Sequence, residues 1–183
     1  MNYKIGIDPG LDGALAIQLP DKTIEVFVMP LNKIKVKNKT LRFIDNKKLR
    51  DLLQKKCSNG NYTVYIEDIH SLHMVSAKSN FSFGFGYGNL IAVLDCLDLD
   101  YIKVAPKLWQ KNVWIKEDIS REPDYFERKK ELKQGKIKTK VTSLNAINRL
   151  YPNMNLLASS RCTVPHDGIV DALCILHYGI IKD

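Results

Sequence analysis

Apolar and polar residues cluster and alternate along this chain in ways that assign most of its elements. Tyr3 to Asp8 is an apolar run ending in a carboxylate, Ala14 to Leu19 is a second run and Thr23 to Met29 a third. The turn signals Pro9-Gly10, Asp12-Gly13 and Pro20-Asp21 separate them, so the spacing predicts three tightly joined and therefore antiparallel strands. From Asp45 to Lys56, Leu49, Leu52 and Leu53 recur at helical spacing among Lys and Arg, and Gly60 closes the following turn. Tyr62 to Asp68 reads as a buried strand. Asn80 to Leu97 alternates Phe or Tyr with small residues up to Gly88, then continues as an apolar helix through Leu90, Ile91, Val93, Leu94 and Leu97. Tyr101 to Val104 is a short strand, and Pro106 suits the first turn of the next helix.

Residues 112 to 140 have weak apolar periodicity and dense charge. They read as a partly ordered insertion with a helix around Asp124 to Leu132 and a flexible region at Gly135. Thr139 to Tyr151 is amphipathic through Val141, Leu144, Ile147 and Leu150, and Pro152 ends it. A last helix is expected from Asp167 to Ile181. The order is three strands, then helix and strand in alternation, then a closing helix. It defines a mixed α/β protein in which an antiparallel meander later gains parallel strands through helical crossovers.

A chain of 183 residues with 45% hydrophobic content suits one domain, 1–183, with a sizeable core. The N-terminus leads straight into a strand without an apolar leader, and no run is long enough to span a bilayer. An intracellular, soluble protein is expected, of the cytoplasm, a DNA-containing organelle or a phage-infected cell. Cys57, Cys96, Cys162 and Cys174 show no C-x-x-C spacing, which argues against both a disulfide framework and a zinc site. Cys96 and Cys174 fall in apolar helical stretches, where a small buried thiol is the ordinary reading.

Charge changes the picture. The net charge is +8 with a pI near 9.2, and residues 33 to 56 hold ten Lys or Arg against Asp45 and Asp51. Residues 128 to 140 hold seven against Glu131. A basic run taken singly is usually a solvated face. Two of them beside an acidic set that would itself repel a polyanion read better as a nucleic-acid footprint.

That acidic set is Asp8, Glu67, Asp167 and Asp171. Asp8 and Glu67 each end an apolar strand, and a carboxylate delivered by a buried element is costly unless it is paired or binds a cation. Asp8 alone would pass as a turn residue before Pro-Gly, and Asp167 as a helix N-cap. Asp171 has no such explanation, because it lies inside a helix among Val170, Ala172, Leu173 and Ile175. Four residues apart, Asp167 and Asp171 share a helix face. Oxygen-only donors with few histidines favour Mg²⁺, with Mn²⁺ as substitute, over zinc. Asp68 points to the other face of its strand and is left out. His70 and His73 lack two further soft ligands. Gly84, Gly86 and Gly88 have no preceding strand and no ribose-binding acid, so close backbone packing explains them better than a nucleotide loop. Phe81, Phe83, Phe85 and Tyr87 belong in a core by default, but any exposed member is placed to stack on or wedge between bases.

Taken together, Gly6-Ile7-Asp8-Pro9-Gly10 with Gly13, the strand ending at Glu67, the Phe/Gly-rich helix start at Phe81 to Gly88, Val104-Ala105-Pro106 with Trp109-Gln110-Lys111, and His166-Asp167-Gly168 leading to Asp171-Ala172-Leu173 resemble the RuvC branch of the ribonuclease H-like superfamily. The resemblance covers nearly the whole chain in order. The four-residue spacing of the last two acids resembles bacteriophage-type and chloroplast members; the best-known bacterial members place them three apart. The resemblance implies a ribonuclease H-like mixed sheet and a crossover junction endodeoxyribonuclease that resolves four-way (Holliday) DNA junctions by paired symmetric cuts. Products would carry a 5′ phosphate and a 3′ hydroxyl.

It further implies catalytic and metal roles for Asp8, Glu67, Asp167 and Asp171, with His166 as an accessory candidate, and a homodimer paired through the helix from Asn89 to Leu97. The candidate DNA contacts are Lys78, Phe83, Phe85, Lys107, Lys129, Lys130, Lys133 and Lys140, and no membrane partner is expected. The alternatives are a related nuclease acting on RNA–DNA hybrid or other branched DNA, and a non-catalytic junction-binding module.

Overall fold

The strands of the central sheet are built from residues that alternate between two packing faces, and that alternation fixes where the acids go. In a computed structural model describing residues 2–70, 76–122 and 135–182, the expected meander forms as β1 (Asn2–Asp8), β2 (Ala14–Gln18) and β3 (Ile24–Val28). Two later strands, β6 (Asn61–Glu67) and β7 (Asp100–Val104), complete one sheet in the order β3-β2-β1-β6-β7. β1 is central, antiparallel to β2 and parallel to β6, while β7 is parallel to β6.

Ile5, Ile7, Leu15, Ile17, Val64 and Ile66 point to one face and pack against α1 (Asn46–Lys56) and α2 (Ala77–Cys96) through Leu49, Leu53, Leu90, Val93 and Leu94. The alternate positions Ala14, Ala16 and Tyr65 point the other way, against α5 (Asp167–Lys182). Between Ala172 and Leu176 of α5 and Gly6 of β1 the contact is backbone to backbone. A Cβ on Gly6 would collide with the Ala172 carbonyl and the Leu176 backbone, so the small residues on this face set the helix close to the sheet. α3 (Pro106–Val113) and α4 (Thr139–Leu150) flank α5 and extend the same core through Trp109, Val113, Ala146 and Ile147.

Local signals explain the helix starts. The Asp45 carboxylate accepts the Lys48 amide at 3.1 Å, the Ser76 hydroxyl accepts the Ser79 amide at 3.1 Å, and Pro106 opens α3.

Several expectations need correction. Residues 31–44 form an unexpected hairpin, β4 (Leu31–Val36) and β5 (Lys39–Ile44), whose strands pair only with each other. Its lysines obscured the alternation, and its turn uses Lys37 at φ 51° instead of glycine. α2 begins at Ala77, ahead of the expected Asn80. Gly84 and Gly88 do not serve close packing: among the described residues nothing lies within 4 Å of a Cβ placed on either. Cys96 is exposed and Cys174 buried, and all four cysteines are free thiols.

Residues 112–122 and 135–140 hold more regular contacts than their composition suggests. A 3-10 turn at Lys116–Asp118 docks on α4, where Arg149 donates to the buried Asp118 carboxylate at 3.0 and 2.7 Å and to the Val113 carbonyl at 3.0 Å. Residues 120–122 then pair with 136–138, with Gly135 accepting from Arg121 at 3.0 Å. The helix expected around Asp124 to Leu132 lies outside the described residues. No described helix is long and apolar enough to cross a membrane.

Candidate active site

Strand parity carries Asp8 and Glu67 to the same place. Asp8 is two residues beyond Gly6 and Glu67 two beyond Tyr65, so both side chains belong to the face covered by α5. The parallel register Gly6↔Tyr65 and Ile7↔Ile66 sets the two acids side by side at the carboxyl ends of neighbouring strands. This is the end of a parallel pair where open α/β sheets form their crevices.

α5 supplies the other two acids. It begins against the β1–β2 turn, where a Cβ on Gly168 would strike the Asp12 carbonyl and the Gly13 backbone, and a Cβ on Gly13 would strike the Asp8 carbonyl. These contacts let the helix start immediately beside the end of β1. His166 caps it, its Nδ1 accepting the Ile169 amide at 3.3 Å. The capping role considered for Asp167 therefore belongs to its neighbour His166.

Asp8 feels the other three carboxylates. Burial and the charges of Asp171, Glu67 and Asp167, in that order, raise the Asp8 carboxyl from its ordinary 3.8 to about 8. Asp171 is raised to about 6, chiefly by burial and against a hydrogen bond from the Ser143 hydroxyl. Burial also raises Glu67, opposed by Trp109, whose indole Nε1 donates to Glu67 Oε1 at 3.0 Å. Asp167 is more exposed and is bound by the Lys140 ammonium, which that bond raises above its ordinary value.

Trp109 and Ser143 escaped the sequence reading as orienting residues. Trp109 fell within a recognisable motif, but an indole among apolar neighbours signals only a core. Ser143 sits in an amphipathic helix where a small hydroxyl carries no signal. Among the candidate DNA contacts, Lys78 and Lys107 are exposed in the first turns of α2 and α3, and Phe83 is partly buried. Phe85 and Phe81 are 59% and 75% exposed, with stacked rings 6.4 Å apart. Lys129, Lys130 and Lys133 lie outside the described residues, as does His73.

An all-oxygen donor set with one carboxyl raised by burial and by three like charges suits a hard divalent cation, which would relieve that repulsion. Among the described residues no three such side chains converge tightly enough to enclose an ion. Asp167 is paired with Lys140, and the donors suit the cation by chemistry and charge.

The raised carboxyls carry a consequence for the metal-free protein. Asp8 keeps its proton in the folded state up to about pH 8 but loses it near 3.8 when unfolded. The folded state therefore binds the extra proton between these values, and stability falls as pH rises from about 4 to 8. Asp171 adds to the fall up to about pH 6. With chelator present, the melting temperature is expected to drop across this window, and Asp8→Asn should flatten most of the slope. Equal slopes in the two proteins would assign the pH dependence elsewhere.

An antiparallel meander extended by parallel strands, with helices on both faces and acids at the end of the central strands, defines the ribonuclease H-like fold. Two solved structures are similar over essentially the whole chain. The RuvC of Thermus thermophilus in complex with a Holliday junction substrate superposes with a TM-score of 0.53 at 10% identity, covering 100% of this chain and 94% of that one. A second Thermus thermophilus RuvC structure gives 0.51 at 8% identity, covering 98% and 96%. At these identities the likeness is one of fold. No family model matches the chain, and no curated protein matches it.

Proposed function

We propose that the protein is a metal-dependent endodeoxyribonuclease that hydrolyses phosphodiesters in branched DNA, four-way junctions above all. The observation that carries this reading is the placement of Asp8 and Glu67 side by side at the ends of β1 and β6, on the face covered by the helix that bears Asp167 and Asp171. It is supported by a RuvC-like fold, one of whose solved members is bound to a Holliday junction substrate.

Asp8, Glu67, Asp171 and Asp167 would hold Mg²⁺, or Mn²⁺ in its place. When bound, such ions lower the pKa of water and stabilise the departing oxygen of an in-line displacement. The protein's own groups prepare that chemistry. Trp109 fixes the rotamer of Glu67, and Ser143 does the same for Asp171. Burial beneath α5 holds Asp8 in a setting where charge interactions are strong. Lys140 neutralises Asp167 at the mouth, and an arriving phosphate would compete for that ammonium. Lys78 and Lys107 would contact the DNA backbone, and Phe81 and Phe85 would stack at the junction centre, where bases are easiest to unstack.

Two symmetric cuts call for two sites related by a two-fold axis. Leu90, Val93 and Leu94 are spent on the monomer core, which leaves the row Gly84, Gly88 and Ala92 on α2 as the surface through which a second copy would approach.

Four-way junction, linear duplex and RNA–DNA hybrid should be offered to the protein with Mg²⁺, alongside Phe85→Ala. Paired cuts in the junction are expected, with little cutting of duplex. Phe85→Ala should slow junction cutting about ten-fold, since stacking is worth roughly 1–3 kcal/mol per base. Preferential cutting of hybrid would move the protein to another substrate class. Binding without cutting would make it a junction-binding module.

A further inference from the structure

We propose that the β4–β5 hairpin is a strand guide, whose Lys33, Lys35 and Arg42 face seats the phosphodiester backbone of the DNA arm flanking the cut. This rests on the reading of the site as a DNA nuclease and adds a binding surface to it. Residues 31–44 contain five cations, Lys33, Lys35, Lys37, Lys39 and Arg42, and no acid.

The hairpin register divides them. Leu31, Lys33 and Lys35 with their partners Ile44, Arg42 and Thr40 share one face, and Asn32, Ile34 and Val36 with Phe43, Leu41 and Lys39 share the other. The second face holds itself together through cross-strand pairs such as Ile34–Leu41. The first face leaves two cations, Lys33 and Arg42, directly opposite one another, an arrangement that destabilises a hairpin unless anions answer it.

One anion does, and it shows where the face points. The Arg42 guanidinium forks onto both oxygens of Asp12 at 2.7 and 3.2 Å. Asp12 lies in the turn that follows Asp8, and its carbonyl is the group against which Gly168 of α5 is packed. The cationic face is thus tied to the β1–β2 turn, which follows Asp8 and packs against the start of α5. Lys33 stands beside Arg42, and Lys35 lies about 7 Å further out, two residues along the strand. Neither lysine forms an ion pair among the described residues.

A two-stranded hairpin is marginal alone. This one is anchored at its base, where Ile44 is buried, Leu31 joins the core beneath α2, and the Asp45 amide closes onto the Pro30 carbonyl at 2.8 Å. With the Arg42 fork as a second anchor, it is a stiff cationic rail leading away from four acids. A substrate whose backbone must approach those acids needs attraction of this kind close by.

The test measures binding of the full chain to a labelled four-way junction and to linear duplex, with chelator and from about 50 to 200 mM salt. The variants are the double substitution Lys33→Gln with Lys35→Gln, and Lys39→Gln on the opposite face. The double variant is expected to bind both DNAs ten-fold or more weakly, with a log–log salt slope shallower by about two, at roughly 0.9 per lost phosphate contact. Lys39→Gln should bind like wild type, and no variant should melt below wild type, because these side chains are exposed. An unchanged slope in the double variant, or an equal loss from Lys39→Gln, overturns the guide. If the wild-type protein cuts junctions while the double variant binds them normally, the guide alone falls. If the wild type binds neither DNA, the nuclease reading falls with it.

Discussion

Asp8→Asn is expected to lower junction cleavage by roughly a thousand-fold or more, the scale seen when one group of a preorganised electrostatic site is removed, or about 4 kcal/mol of barrier. Asp8 lies under α5 at the end of the central strand, within the influence of the charges of Asp171, Glu67 and Asp167. Junction binding in chelator should be retained, since Asp8 keeps its proton there up to about pH 8 and the substitution removes no charge. Glu67→Gln and Asp171→Asn should behave alike. Single-turnover cleavage beside a binding isotherm is the check, and cleavage within ten-fold of wild type for Asp8→Asn would sink the assignment. Asp167→Asn probes the exposed end of the set separately; near-normal cutting there would shift its role to His166.

Gly6→Ala should cost about 3 kcal/mol of stability, the upper end for overpacking, because the methyl meets backbone atoms of Ala172 and Leu176 that cannot rotate aside. For a chain of this size that is a fall in melting temperature of about 6–12 °C. Gly84→Ala should do the opposite and gain about 0.5–1 kcal/mol, since a methyl there meets open space in a helix. Thermal and urea unfolding at low protein concentration would measure both. A Gly6→Ala variant as stable as wild type would mean that α5 is free to lift from β1, and the geometry that brings Asp171 to Asp8 would then need another cause.

How far the sequence carries this picture depends on which residues speak through periodicity. The strands at Ile5-Ile7, Leu15-Ile17 and Val64-Ile66 are legible because their apolar alternation has one reading, and the acids ending two of them stand out against it. Asp171 is legible because a carboxylate among Val170, Ala172 and Leu173 has no other explanation. The hairpin was hidden because Ile34, Val36 and Leu41 sit in a solvated arm where lysines occupy the alternate positions. The regular contacts of residues 112–122 were hidden too, because Asp118 and Arg149 find each other across 31 positions, and no local pattern marks such a pair. The purpose of Gly6 was equally invisible: a glycine in a strand says that something comes near, not what.

The contact between Gly6 and Ala172 also bears on how the molecule folds. These residues stand near opposite ends of the sequence, so closing β1 against α5 demands a large loss of chain freedom before any contact rewards it. The first helices and the outer hairpin can form from neighbouring residues, whereas the pocket of acids exists only once the most distant pairing is made. A partly folded chain would therefore carry the cationic hairpin before its four acids are gathered.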